Sequence, residues 1–145
     1  MLKPDAEWGG FTGFVNLSTL PPVGTEYTFL VRFADGTSQT LHDVVKAWVA
    51  AGPSGNVTTQ GDTAVIHWND VSHSVPEADI YWVWVEGSGV LWRSGELPLN
   101  RTSITFNEDG TASGSLQHGQ TYTVSVFIFN RYDDYAYWFG EFTMP

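Results

Sequence analysis

The side chains that could do chemistry in this chain are 16 carboxylates, 4 histidines and 22 aromatic rings (7 Trp, 6 Tyr, 9 Phe). Cysteine is absent, which removes disulfides, thiolate metal sites and thiol nucleophiles. His42, His67, His73 and His118 show no metal-ligand spacing. His67 and His73 could meet across a turn, but single imidazoles on strands read as solvent-facing side chains. Asp133-Asp134 and the turn Asn107-Glu108-Asp109-Gly110 invite a calcium reading. Neither has the EF-hand spacing, and Asn, Asp and Gly gather in turns for local backbone reasons. Glycoside hydrolysis needs two carboxyls facing each other across a cleft, and sequence does not place Glu86, Glu96 and Asp133 that way. No nucleophile elbow and no phosphate-cradling glycine loop is present. The expectation is a chain with no catalytic residue, no metal site and no cofactor: not an enzyme.

Composition narrows the partners. Apolar residues make up 42% of the 145 positions, enough for one domain or one domain plus a part. The formal net charge of −10 repels phosphate backbones, so no nucleic-acid partner is expected. No stretch is apolar for long enough to insert in a membrane, and Met-Leu-Lys-Pro-Asp is not a signal peptide. Lack of cysteine fits the cytosol or a cysteine-avoiding secreted protein. Asn16-Leu-Ser18, Asn56-Val-Thr58 and Asn100-Arg-Thr102 fit the N-glycosylation sequon, which matters only in a eukaryotic secretory setting.

The elements that must position the rings read as strands. Residues 1–10 are a polar lead-in. Strands are expected over 11–17, 27–33 and 38–41, with Asp35-Gly36 as a hairpin turn. Residues 43–51 have helical spacing at Leu41, Val44, Val45, Trp48 and Val49, and lean to a short helix or irregular segment. Gly52-Pro53-Ser54-Gly55-Asn56 marks a boundary, giving an N-terminal β-rich segment, 1–55, and a C-terminal domain, 56–145. Beyond it short strands recur between turns: 63–68, 80–85, 90–92, 103–106, 122–129 and 135–142. That is the pattern of an all-β antiparallel sandwich.

Residues from about 57 to 145 resemble a fibronectin type III domain. The resemblance is carried by Trp68, Tyr81, Val83, the spacing Leu116-x-x-Gly119-x-x-Tyr122-x-Val124-x-Val126, and the closing Phe142-Thr143-Met144-Pro145. It implies two antiparallel sheets, strands A, B and E facing C, F and G, with Tyr122 as a tyrosine corner whose hydroxyl bonds to nearby backbone. It also implies an exported or cell-surface protein whose signal peptide lies outside this sequence. The A strand is faint, around 57–59, and no Arg-Gly-Asp sequence is present. Leu20-Pro21-Pro22-Val23-Gly24-Thr25-Glu26-Tyr27 is a weak echo of the turn before Tyr122, so residues 11–41 resemble the E, F and G strands of a similar domain. They are too few for a whole sandwich. They read as extra strands packed on the C-terminal one, with a truncated domain or a sheet completed in another chain as alternatives.

Alternation then sorts the rings. If Tyr122, Val124, Val126 and Ile128 face inward, Phe127 and Phe129 face outward; if Tyr81, Val83 and Val85 face inward, Trp82 and Trp84 face outward. The fold sets these strands side by side. The outer face should therefore collect Trp82, Trp84, Phe127 and Phe129, joined by Tyr135, Tyr137 and Phe139 or by the opposite set from the last strand. An aromatic patch of that size must meet something. It is covered by residues 1–55, docks a protein or a neighbouring domain of the same polypeptide, or stacks polysaccharide on Trp82 and Trp84 with Asp133, Asp134, Arg131 and Arg93 at its margin. The expected function is a non-catalytic binding or spacer module, with a carbohydrate-binding module as the alternative.

Overall fold

In the computed structural model the backbone is described for residues 3–5, 10–12 and 18–145, and side chains for 18–145. The chain clusters into two units, Met1–Val45 and Lys46–Pro145. Residues 46–55, placed with the N-terminal segment on the turn signal at Gly52-Pro53-Ser54-Gly55-Asn56, fall in the second unit.

In the first unit, β1 (Lys3–Asp5) pairs antiparallel with β2 (Gly10–Thr12), so part of the expected lead-in is strand. The strand expected over 11–17 is seen only to Thr12; 13–17 lie outside the described residues. A hairpin follows, β3 (Glu26–Arg32) with β4 (Ser38–Val44). Its turn is fixed by Asp35, whose Oδ1 accepts from the Thr37 amide and hydroxyl at 2.9 and 2.7 Å. Of the short helix or irregular segment expected over 43–51, no helix forms, and residues 46–51 are irregular. Asp43 and Val44 belong to β4, and Val45 extends the pairing, donating to the Thr25 carbonyl at 2.9 Å and accepting from Gly24 at 2.8 Å. β-Branched residues and a waiting partner strand outweigh the helical spacing.

The second unit is an antiparallel β-sandwich. One sheet runs β10 (Ser103–Thr105), β6 (Thr63–Trp68), β5 (Gly55–Gln60). The other runs β12 (Tyr135–Thr143), β11 (Thr121–Asn130), β7 (Ala78–Gly87), β8 (Val90–Arg93), with the short β9 (Leu97–Pro98) beside the start of β7. This is the A-B-E against C-F-G order of a fibronectin type III-like sandwich, with two added strands, β8 and β9, next to C. The A strand, expected to be faint, is a full six residues paired with β6. β9 was not foreseen, since two residues carry no periodicity.

Alternation builds the core. Ala64, Ile66 and Trp68 of β6 and Ile104 of β10 pack against Tyr81, Val83 and Val85 of β7 and Tyr122, Val124 and Val126 of β11. Two tyrosines tie loops to this core. The Tyr122 hydroxyl accepts from the Gln117 amide at 2.8 Å, as a tyrosine corner does. The Tyr81 hydroxyl accepts from the Val71 amide at 3.0 Å and donates to Asp70 at 3.0 Å. Burial, reinforced by the Asp70 carboxylate, holds the Tyr81 phenol above its usual range. Trp138 closes one side of the sandwich. A Cβ on Gly140 would lie 2.5 Å from its ring, and one on Gly55 2.8 Å from it and 2.7 Å from the His67 carbonyl. Both glycines make room for the indole.

Replacing Tyr122 by Phe leaves the Gln117 amide without its acceptor. It should lower stability by about 1–3 kcal/mol in urea unfolding, with the urea dependence of the unfolding free energy unchanged. The His118 ring bonds the Pro145 carbonyl and, from Nε2, Asp62 at 3.0 Å. The Pro145 bond, then Asp62, raises its pKa above the usual imidazole value. The native state thus holds this proton more tightly than the unfolded chain. Its contribution is complete below the unfolded pKa and is lost as pH rises through the native one. NMR titration of His118 should give a midpoint above that of an unstructured histidine, and Asp62→Asn should lower it.

Candidate functional site: an aromatic outer face

Hydrogen-bond register across β7, β11 and β12 sets the geometry. Phe127 lies opposite Trp82 on one side and Tyr137 on the other. Phe129 lies between Ile80 and Tyr135, and Ser125 between Trp84 and Phe139. Three rows of three side chains therefore stand on one face, and all but Ser125 are apolar or aromatic. The expected set from β11 and β7 is together, and β12 contributes Tyr135, Tyr137 and Phe139 rather than the opposite set. Ala136 and Trp138 turn the other way.

The rings form one continuous cluster centred on Phe127, which is only 9% exposed although it is on the outer side. Its centroid is 4.8 Å from Trp84, 5.2 Å from Tyr137, 5.6 Å from Tyr135 and 6.0 Å from Phe129. Trp82 sits 5.3 Å from Phe129 and 6.4 Å from Trp84. Both indoles are half-buried, and their Nε1 atoms are buried with no hydrogen-bond partner among the described residues. Exposure is concentrated on β12: Tyr135 is 52% exposed, Tyr137 55% and Phe139 55%.

The polar groups around the face are already engaged. The Arg93 guanidinium lies 4.5 Å over the Trp84 ring, so that indole does not offer an open face on the side Arg93 covers. Arg131 donates to the Tyr132 hydroxyl at 2.7 Å and pairs with Glu77 at 3.4 Å. The tip of the β11–β12 hairpin is organised by Asn130, 1% exposed, whose Oδ1 accepts from the Tyr132 and Asp134 amides at 2.9 and 3.1 Å. Its Nδ2 reaches Asp134 at 3.4 Å.

The other candidate chemistry is spread out. Asp109 accepts from Trp92 Nε1 at 2.8 Å and from Thr111, and the bonds it accepts hold its carboxyl below the usual range against the opposing cost of burial. Asn107 accepts from the Ala112 amide at 2.8 Å. Asn107 thus serves its own turn, and Asp109 also ties that turn to Trp92 of β8. His67 meets Thr58 at 3.2 Å, and His73 lies in the 3-10 turn Ser72–Ser74. Among the described residues no three His, Asp or Glu side chains are grouped to hold a metal ion. An open groove of about 360 Å³ is lined by Ser54, Gly55, Asn56, His67, Trp68 and Asn69. Its polar groups are hydroxyl, amide and imidazole.

No protein-family model and no curated protein matches the chain. Among solved structures it is similar to the spore cortex lytic enzyme SleM of Clostridium perfringens, with a TM-score of 0.46 and 17% identity, covering 89% of this chain. The chain spans 42% of that protein. It is also similar to domains d3-d4 of the rat CD45 extracellular region, with a TM-score of 0.40 and 17% identity, over 90% of this chain and 70% of that one. Among the described residues no helix is long and apolar enough to cross a membrane.

The cluster separates two kinds of ring. Phe127→Ala should cost about 3–5 kcal/mol, because it empties the centre of the cluster. Tyr137→Ala should change stability by less than about 1 kcal/mol, because half of that ring faces water. Thermal and urea unfolding of the two variants measure the difference.

Proposed function

We propose that residues 46–145 are a non-catalytic binding module of the fibronectin type III kind, from an exported or cell-surface protein. The module docks a protein, or a neighbouring domain of the same polypeptide, through the face built on Phe127. The observation that carries this reading is the exposed row Tyr135, Tyr137 and Phe139, backed by a fixed layer of Trp82, Trp84, Phe127 and Phe129. Rings that are pre-packed lose little conformational freedom on docking, and burying one completely is worth about 1.5–3 kcal/mol. Tyrosine suits such a surface, since its ring buries while its hydroxyl finds a partner.

A carbohydrate platform is the second reading, favoured by the two exposed tyrosines, whose centroids are 6.4 Å apart. It fits Tyr135 and Tyr137 better than Trp82 and Trp84. Arg93 covers the Trp84 ring, and Arg131 and Asp134 are bonded within the hairpin tip.

A photo-crosslinking residue at 137 or 139, set against one at 58 on the opposite sheet, tests the docking reading in a lysate of the source cells. One protein should dominate the products from 137 and 139 and be absent from those at 58. The same products from all three positions overturn it. Tryptophan fluorescence that responds to a soluble polysaccharide, and loses the response in Tyr135→Ala/Tyr137→Ala, would replace docking with the sugar reading.

A further inference from the structure

The β3–β4 and β11–β12 hairpins carry the same backbone signature at their bases. In the sandwich, Gly119 donates to the Met144 carbonyl at 2.9 Å, Gln120 to Gln117 at 3.2 Å, and Met144 to Gln120 at 3.0 Å. In the N-terminal unit, Gly24 donates to Val45 at 2.8 Å, Thr25 to Pro22 at 3.0 Å, and Val45 to Thr25 at 2.9 Å. Gly24 and Gly119 share the left-handed conformation, with φ of 90° and 74°. Three residues after each glycine stands a tyrosine, Tyr27 and Tyr122. The strand pairs then run in the same register, Glu26 opposite Val44 and Tyr27 opposite Asp43, as Thr121 is opposite Thr143 and Tyr122 opposite Phe142.

The positions match, but the burial does not. Tyr122, Val124 and Val126 are 0–1% exposed beneath the β5–β6–β10 sheet. Their counterparts are Tyr27, Phe29 and Val31. Phe29 is 51% exposed, and Leu41 opposite it 44%. Tyr27 and Val31 are half-buried, and on the other face of the hairpin Leu30 and Val44 are exposed, at 56% and 42%. Among the described residues β3 and β4 pair only with each other. A two-stranded hairpin with water on its apolar face is marginal at best.

We propose that β3 and β4 are the last two strands of a second sandwich. Their Tyr27–Phe29–Val31 face is covered by a sheet equivalent to β5–β6–β10, encoded N-terminal to residue 1. The last two strands of this fold close it, so the strands that cover them come earlier in the polypeptide. Val45 ends the hairpin as Met144 ends its counterpart, and ten residues later β5 opens the next sandwich. The covering sheet presents alternating apolar side chains to Phe29 and Leu41. The inference concerns residues separate from the Phe127 face, so either can fail alone.

Hydrogen–deuterium exchange on two proteins, this 145-residue chain and the product of the complete reading frame, decides it. In the longer protein the β3–β4 amides should exchange at least about 100-fold more slowly than in the shorter, with β11 unchanged. Phe29→Asp in the longer protein should return the hairpin to fast exchange and leave β11 slow. Three results overturn the proposal: a reading frame that begins at Met1, hairpin amides already slow in the 145-residue chain, or hairpin amides equally fast in both.

Discussion

The structure rests on the pairing of β7 with β11. Val126 lies opposite Val83 and Phe127 opposite Trp82, so one register assigns every side chain on both strands to a layer. A slip of β11 by one residue would exchange its two sets. Phe127 and Phe129 would enter the core, and Tyr122, Val124, Val126 and Ile128 would leave it. The register is held from both sides, since β12 also pairs with β11 along its length. The core and the outer face are therefore two readouts of the same constraint. Neither can be altered in shape without the other.

Much of this was legible in the sequence. Tyr122 and its run of valines gave the direction of β11, and Tyr81 with Trp82 gave that of β7. Both are long and uninterrupted, so alternation had room to declare itself. Other features were hidden for identifiable reasons. β9 is two residues of Leu and Pro, with no period to read. Residues 43–45 carry a spacing that suits a helix as well as a strand, and only the partner β3 decides between them. The side of β12 that faces outward could not be chosen in advance, because aromatic residues occupy both sides of it. The answer depends on Trp138, whose place is set by glycines at 55 and 140 on two different strands. The likeness between the two hairpins showed faintly as Gly-x-x-Tyr, and its weight comes from hydrogen bonds that no residue pattern displays.

The outer face shows how a surface can be both rigid and available. Phe127 is shielded by its neighbours, while the rings along β12 keep about half their area in water. Arg93 extends over Trp84 and adds a positive charge to an otherwise apolar corner, on a chain with a net charge of −10. Among the described residues the buried Nε1 atoms of Trp82 and Trp84 have no hydrogen-bond partner.

The indole of Trp138 fills space that three ordinary side chains would otherwise share. A mutation at any one of positions 55, 138 or 140 is thus judged against the other two. Relatives of this protein should drift as linked triplets: where a bulkier residue replaces either glycine, the tryptophan should have shrunk in the same lineage. Such a triplet constrains the evolutionary paths open to this edge more tightly than burial alone would suggest.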